Sequence, residues 1–262
     1  MAVTGADSIR RMEPQLLHSV TDSVATVVIS HSAKRNAMTA AMWAALPPLL
    51  GSLAADPRVR ALVLTGDGDT FCAGADISTL QGSPLEAQRL AVEAEEALAA
   101  FPKPTLAAVR GHCVGGGAQL AAACDLRFAE EGTRFGVTPA KLGIVYPSSA
   151  TRRLVSLVGP AAAKYLLFSG ELIGTERALR TGLVDEVLPA GALDTRVAEF
   201  TAVLASRSQL TQAAAKEFAD GRTDRDDHWH KVASASDDTA EGVTAFLERR
   251  APRFTWSPSA SG

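Results

Sequence analysis

The chain has 262 residues, 47% of them hydrophobic and 21% charged, and its 26 basic and 29 acidic residues give a net charge of −3. This is ordinary globular composition with enough length for a large apolar core, which excludes a disordered or fibrous protein. Because there is no basic or acidic block, we expect neither a nucleic-acid nor a membrane partner, and an N-terminus without an apolar run predicts a cytoplasmic protein.

Short runs rich in β-branched residues predict strands, and longer segments between them predict helices. The predicted strands are 24–30, 61–65 and 105–109, and the predicted helices are 40–54, 85–100 and 117–124. We expect the first helix to be interrupted at Pro47 and Pro48, and the second to carry Glu95 among the glutamates of its polar face. After residue 150 the pattern is mostly helical. The chain therefore predicts an α/β or α+β core, assigned to residues 1–200, followed by a C-terminal helical region and tail at 201–262.

Two glycine-rich bends follow predicted strands and lead toward helices. The first is FCAGADI at 71–77, and the second is GHCVGGGAQ at 111–119. The N–H groups at the start of a helix are unpaired and carry the positive end of its dipole, so two of them converging on one point would form an oxyanion hole. Either bend alone is more typical of close packing. The second bend lacks G-x-G-x-x-G spacing, which argues against a dinucleotide site.

Taken together, these stretches resemble the crotonase superfamily, the enoyl-CoA hydratases and isomerases. The similarity extends over nearly the whole chain, through KRNAM at 34–38 and further segments at 101–129, 135–143 and 241–254. The resemblance implies a spiral of ββα units with a C-terminal helical trimerisation region, assembled as a homotrimer or a dimer of trimers. It also implies an acyl-CoA thioester as the partner, with coenzyme A as part of the substrate, no covalently bound cofactor and no metal.

The same resemblance implies roles for individual residues. The N–H groups of Ala75 and Gly116 match those that hold the thioester oxygen. The positions that match coenzyme A contacts are Lys34, Arg35 and Ala37 in an N-terminal loop, Ala73, Asp76 and Ile77 in the first bend, and Phe246 and Arg249 near the C-terminus. The last two often reach the coenzyme of a neighbouring subunit.

The sequence departs from a hydratase at the two positions where that enzyme carries glutamates. Gln119 and Pro139 occupy them, and neither side chain can act as the acid or base that water addition requires. We therefore expect chemistry through an enolate without hydration. Gln119 is also typical of a residue that completes a buried hydrogen-bond network.

The stretch 138–146 looks like the T-P-x-x-L-G-x-x-Y pattern of the methylmalonyl-CoA decarboxylase branch. There a threonine and a tyrosine occupy the region of the substrate carboxylate, which implies that role for Thr138 and Tyr146. Decarboxylation suits a site without a strong base, because departure of carbon dioxide itself generates the enolate. The match is partial, since that branch keeps a glutamate at position 119 and has a histidine at position 75. Tyr146 is equally typical of a pocket wall.

Two alternatives to this non-hydrating enzyme stay open. One is a catalytically silent acyl-CoA-binding protein, and the other is a hydratase that uses substitute acid and base groups. Glu93 and Glu96 are candidates for such groups, although charges outside a motif are more typical of a solvated helix face.

Overall fold

The computed structural model describes residues 13–79 and 84–258, which form two sheets and a series of helices. The strands are β1 (Gln15–Thr21), β2 (Val24–Ser30), β3 (Ala61–Gly66), β4 (Thr105–Val109), β5 (His112–Val114), β6 (Leu126–Glu130), β7 (Arg134–Gly136), β8 (Ile173–Gly174) and β9 (Glu186–Leu188). The helices are α1 (Ala40–Ala55), α2 (Pro84–Ala99), α3 (Gly116–Ala123), α4 (Ser148–Ser169), α5 (Thr175–Thr181), α6 (Leu193–Ser206), α7 (Gln209–Ala219), α8 (Asp226–Ser234) and α9 (Asp238–Leu247).

The larger sheet has the strand order β1-β2-β3-β4-β6-β9 and is parallel except for the antiparallel β1–β2 pair. The smaller sheet joins β5, β7 and β8. The β3 and β4 strands are almost wholly buried, as their continuous apolar sequences predict for strands covered on both faces. The mixed α/β fold class is confirmed, and so are the three predicted strands, to within a residue at each end.

The parallel β3–β4 pair determines where the two glycine bends lie. Both strands run in the same direction and are adjacent, so their carboxyl ends meet at one edge of the sheet. The bend at 71–77 follows β3, and the bend at 111–119 follows β4 and begins α3. The topology therefore brings together two segments that are about forty residues apart in the chain.

The structure corrects two predictions about the helices. First, α1 is continuous through Pro47 and Pro48. Its buried face, which includes Trp43 and Leu46, packs into the main core, so burial outweighs the backbone hydrogen bonds that the prolines remove. Second, Glu95 is not on a polar face, because its side chain is completely buried.

The helical C-terminal part begins before the predicted division. Residue 200 lies inside α6, and the division of the chain at that point stays a prediction. Within 13–79 and 84–258, the structure has no helix long and apolar enough to cross a bilayer.

Candidate active site

The two glycine bends lie side by side. Cys72 pairs with Cys113 in a parallel bridge; the Cys72 N–H donates to the His112 carbonyl at 2.9 Å, and the Val114 N–H donates to the Cys72 carbonyl at 3.0 Å. A Cβ atom added to Gly117 would lie 2.3 Å from the Cys72 carbonyl oxygen. The approach of the bends therefore depends on the absence of a side chain at residue 117.

The amides of Ala75 and Gly116 adjoin the same small space. A Cβ atom added to Gly116 would lie 3.4 Å from the Ala75 nitrogen. Neither N–H donates a hydrogen bond to a residue in the described part of the chain, whereas the next amide, that of Asp76, donates to the Met38 carbonyl at 2.8 Å. Gly116 is the first residue of α3, so its N–H has no intrahelical acceptor. Two main-chain N–H groups without a partner in the described chain therefore lie close together here.

The ring of Trp43 forms a wall beside Gly116. A Cβ atom at residue 116 would lie 2.9 Å from Trp43 Cζ2, and the indole is buried in the main core. Ala75 and Gly116 themselves are partly accessible to solvent. The Trp43 ring therefore bounds the space beside Gly116, and both amide-bearing residues keep some contact with solvent.

The predicted coenzyme A residues Lys34 and Asp76 contact each other. Lys34 Nζ lies 2.7 Å from Asp76 Oδ2 and 2.8 Å from Ser78 Oγ. Burial of Asp76 acts to raise its pKa, but the hydrogen bonds from Lys34 and Ser78 outweigh burial, and the net pKa is lowered. The pair ties the loop at 34–38 to the first glycine bend.

A buried asparagine holds the same loop against the turn before the first bend. Asn36 Nδ2 donates to the carbonyls of Asp67 at 2.8 Å and Thr70 at 2.6 Å. Arg35 and Asn36 both have positive φ angles, 50° and 58°, so the loop turns sharply here. Asn36 lies within the KRNAM stretch, and the sequence alone predicted no role for it.

The remaining residues predicted to contact coenzyme A in this region differ in how far they are exposed to solvent. The Ala73 N–H donates to the Arg35 carbonyl at 3.0 Å, which places both residues at the junction of loop and bend. Ala37 is buried, whereas the Ile77 side chain is exposed.

Gln119 belongs to a buried polar cluster that joins three helices. Gln119 Nε2 on α3 donates to Glu95 Oε2 on α2 at 2.5 Å. The other Glu95 oxygen accepts from the Arg153 guanidinium on α4, which also lies 3.4 Å from Glu96 Oε1. The expectation that Gln119 completes a buried network is confirmed. The sequence did not identify Glu95 as a site residue. Only its contacts with Gln119 and Arg153, which lie 24 and 58 positions later in the chain, distinguish it from its solvated neighbours.

Glu93 and Glu96 lie on the exposed side of α2. The Glu93 carboxylate pairs with Arg89, and both side chains are about half exposed. This is the solvated helix face that their sequence pattern favours.

Thr138 lies beside the second glycine bend. A Cβ atom added to Gly115 would lie 3.6 Å from Thr138 Oγ1, and Pro139 begins the short 3-10 helix that follows. Tyr146 is half-buried and packs against the main core. Burial, and to a lesser extent the nearby Cys113 thiol, raise the pKa of Tyr146 above its usual range, so its hydroxyl is a neutral hydrogen-bonding group.

Phe246 and Arg249 lie at the end of α9 and beyond it. No hydrogen bond or ion pair in the described chain joins them to the glycine bends. Phe246 is 83% exposed and borders a groove of about 580 Å³ between α7 and α9. Their predicted contact with coenzyme A stays a prediction.

The three cysteines are buried and unpaired, as expected for small apolar residues. Burial raises the pKa of Cys72 to about 12 and that of Cys124 to about 12. Among the described residues, no group of three or more His, Cys, Asp or Glu side chains is arranged to hold a metal ion.

Comparison with known proteins gives consistent matches over most of the chain. The sequence model of the enoyl-CoA hydratase/isomerase family matches residues 19–257. The crotonyl-CoA hydratase of Syntrophomonas wolfei is 37% identical over 76% of this chain and 82% of its own length. The 2,3-dehydroadipyl-CoA hydratase of Escherichia coli is 31% identical over 92% of this chain and 98% of its own. The crystal structure of an enoyl-CoA hydratase/isomerase family member superposes with a TM-score of 0.86 at 40% identity, covering 94% of this chain and all of the other.

Proposed function

Because this chain belongs to the enoyl-CoA hydratase/isomerase family, we propose that it binds an acyl-CoA thioester with the thioester oxygen between the N–H groups of Ala75 and Gly116. Two unpaired main-chain donors beside one small space support this placement. Negative charge that develops on the oxygen would meet donors already oriented toward it, which is how an oxyanion hole lowers the barrier to enolate formation.

The reaction we propose is a step other than water addition, with decarboxylation of a malonyl-type thioester as the leading case. The observation that carries it is the chemistry of the two hydratase positions: Gln119 donates to a carboxylate and does not titrate, and Pro139 is buried and has no polar side-chain atom. In this reaction the carbon–carboxylate bond breaks, carbon dioxide leaves and the electron pair passes into the enolate. The α-carbon then takes a proton from water.

Thr138 and Tyr146 are proposed to face the substrate carboxylate. The position of Thr138 next to Gly115 supports this role, and the Tyr146 hydroxyl is a neutral group that can donate to a carboxylate. A carboxylate at position 119 or 139 would repel such a substrate, whereas the neutral residues there do not.

The test is a mass-spectrometric assay of a thioester panel that contains crotonyl-CoA, a 3-enoyl-CoA, malonyl-CoA and methylmalonyl-CoA. We expect loss of carbon dioxide from a malonyl-type thioester and no hydration of crotonyl-CoA. Gly116→Pro removes the proposed donor and should abolish turnover. Normal hydration of crotonyl-CoA by the unaltered protein would overturn the non-hydrating assignment.

A second candidate is a hydratase with substitute acid and base groups, which the names of the two hydratase relatives favour. Hydration of crotonyl-CoA in the same panel would establish it. Tight binding without turnover of any thioester would instead support a silent acyl-CoA-binding protein.

The apolar face of α9 supports a further proposal, that the protein forms a homotrimer or a dimer of trimers. Val243, Phe246 and Leu247 follow helical i, i+3, i+4 spacing and are 57%, 83% and 75% exposed, which is unusual for a helix facing only water. Light scattering during gel filtration measures the assembly. A monomer at micromolar concentration would refute this proposal.

A further inference from the structure

The indole N–H of Trp43 is a buried donor without an acceptor in the described chain. Trp43 is only 2% exposed, and no described residue accepts a hydrogen bond from its Nε1. The other buried tryptophan, Trp229, donates from Nε1 to Glu217 Oε2 at 2.9 Å. A buried indole N–H usually has a hydrogen-bond partner. The partner of the Trp43 donor must therefore come from outside the described chain.

This donor lies on the edge of the ring that faces the two glycine bends. A Cβ atom added to Gly116 would lie 2.9 Å from Trp43 Cζ2, 3.2 Å from Trp43 Cη2 and 3.4 Å from the Ala75 nitrogen. In an indole a single ring atom separates Nε1 from Cζ2, so both atoms lie on the same edge. Nε1 is not among the fully enclosed side-chain atoms without a partner, so it keeps contact with solvent although the ring packs into the main core.

A third donor beside Ala75 and Gly116 can distinguish an enolate from a thioester. A carbonyl oxygen has two lone pairs, and in the proposed complex the two main-chain N–H groups bond to both. When the carbon–carboxylate bond breaks, its electron pair passes onto this oxygen, which becomes negatively charged and can accept a further hydrogen bond. A donor that bonds only to the charged oxygen lowers the barrier without tightening the binding of the substrate.

We propose that Trp43 is a catalytic residue whose indole N–H donates to the enolate oxygen as a third donor beside the N–H groups of Ala75 and Gly116. The inference rests on the proposed binding of an acyl-CoA thioester between those two amides. It adds a side chain from α1 to the site and gives that side chain a role in the transition state.

The first test is the effect of Trp43→Phe, which removes the N–H and keeps an aromatic ring. For decarboxylation of malonyl-CoA or methylmalonyl-CoA, kcat should fall about 10- to 100-fold, the effect of one hydrogen bond to a charged group. KM should change by less than about twofold, because the bond forms only in the transition state. Trp229→Phe is the matched control, since it removes the N–H of the other buried indole, and it should leave kcat unchanged.

The second test needs no turnover and uses acetoacetyl-CoA, whose acidic α-carbon gives a stable enolate with its own near-ultraviolet absorbance. Titration of the bound compound measures how strongly the protein stabilises the enolate relative to the neutral form. Loss of the indole donor in Trp43→Phe should raise the pKa of bound acetoacetyl-CoA by about 1 to 2. Calorimetry with butyryl-CoA, which stays neutral, should show less than about a twofold change in affinity.

A closer replacement is available if Trp43→Phe does not fold. Site-specific replacement of Trp43 by 3-benzothienylalanine puts a sulfur atom in the place of the ring N–H and keeps nearly the same shape. The same change in kcat and in the pKa of bound acetoacetyl-CoA is expected, because only the donor is lost.

The outcomes separate this proposal from the proposed function. If kcat and the pKa of bound acetoacetyl-CoA stay unchanged without the indole N–H, Trp43 is only a wall and the acyl-CoA site stands. A loss of butyryl-CoA affinity as large as the loss in kcat would also overturn the role in the transition state. If no thioester is turned over but the pKa effect is present, the proposed reaction fails and the third donor stands. Failure of the unaltered protein to bind either thioester removes the site and this inference together.

Discussion

The contact between the two glycine bends is best tested at Gly117. In Gly117→Ala the new methyl carbon would lie 2.3 Å from the Cys72 carbonyl oxygen and 2.9 Å from Cys72 Cβ. Because the obstacle is main chain, it cannot rotate aside, and the cost should lie near the upper end of overpacking, about 3 kcal/mol. Alanine regains about 1 kcal/mol of helix propensity over glycine. The net loss is about 2 kcal/mol, which lowers Tm by about 4–8 °C for a protein of this size.

Gly51→Ala is the matched control, because Gly51 lies in α1 and nothing lies within 4 Å of a Cβ atom there. The same chemical change should raise Tm by about 2–4 °C through helix propensity alone. Thermal unfolding followed by circular dichroism measures both variants, and butyryl-CoA affinity should fall only in Gly117→Ala. A Gly117→Ala protein as stable as Gly51→Ala would show that the bends do not need this close approach.

Three further predictions test the surroundings of the site. The pKa of Asp76 is lowered in the folded state. The stability that Asp76 contributes is therefore complete above its unfolded pKa of about 3.9 and is lost as pH falls through the folded pKa. In urea unfolding, the difference in unfolding free energy between the unaltered protein and Asp76→Asn should shrink between pH 6 and pH 2. With the thiol pKa of Cys72 and of Cys124 raised to about 12, a thiol-directed reagent at pH 8 should label no cysteine until urea unfolds the chain, and labelling of the native protein would contradict their burial. Asn36→Ala leaves two carbonyls and one amide without their side-chain partner. It should lower the free energy of unfolding by about 3 kcal/mol in the same urea assay. An unchanged urea midpoint would contradict this prediction.

The positions of the two glycine bends could be predicted because they depend on local pattern. Each bend follows an apolar run that only a buried strand explains, and parallel strands end at a common edge. The start of α3 at Gly116 lies within one residue of the predicted helix at 117–124, because the glycine cluster leads directly into a run of small residues. The local pattern does not predict how each amide is oriented, because the orientation depends on tertiary contacts such as the hydrogen bond from the Asp76 N–H to the Met38 carbonyl.

Glu95 shows why the polar interior could not be predicted. In sequence it lies beside Glu93 and Glu96, and all three are ordinary helix formers. Only the fold brings Gln119 and Arg153 to one of them and leaves the others in solvent. Pro47 illustrates the same limit, because its local preference against a helix interior yields to burial of the face that α1 presents to the core.

The pairing of Glu95 with Gln119 also predicts how stability should respond to pH if the amide alone is changed. In Gln119→Glu two carboxylates would face each other at the site of a 2.5 Å contact, and like charges so close share a proton, which raises the folded-state pKa of the pair. Since the unfolded pKa stays near 4.3, the variant loses about 1.4 kcal/mol of unfolding free energy for each pH unit between that value and the raised pKa. Urea unfolding at pH 5 and pH 8 should therefore show a large loss at pH 8 in the single variant. The loss should be small in the unaltered protein and in the double variant Glu95→Gln with Gln119→Glu, because each has only one carboxylate at this contact. Equal stability of the single variant at both pH values would mean that water or a shifted Arg153 separates the two side chains.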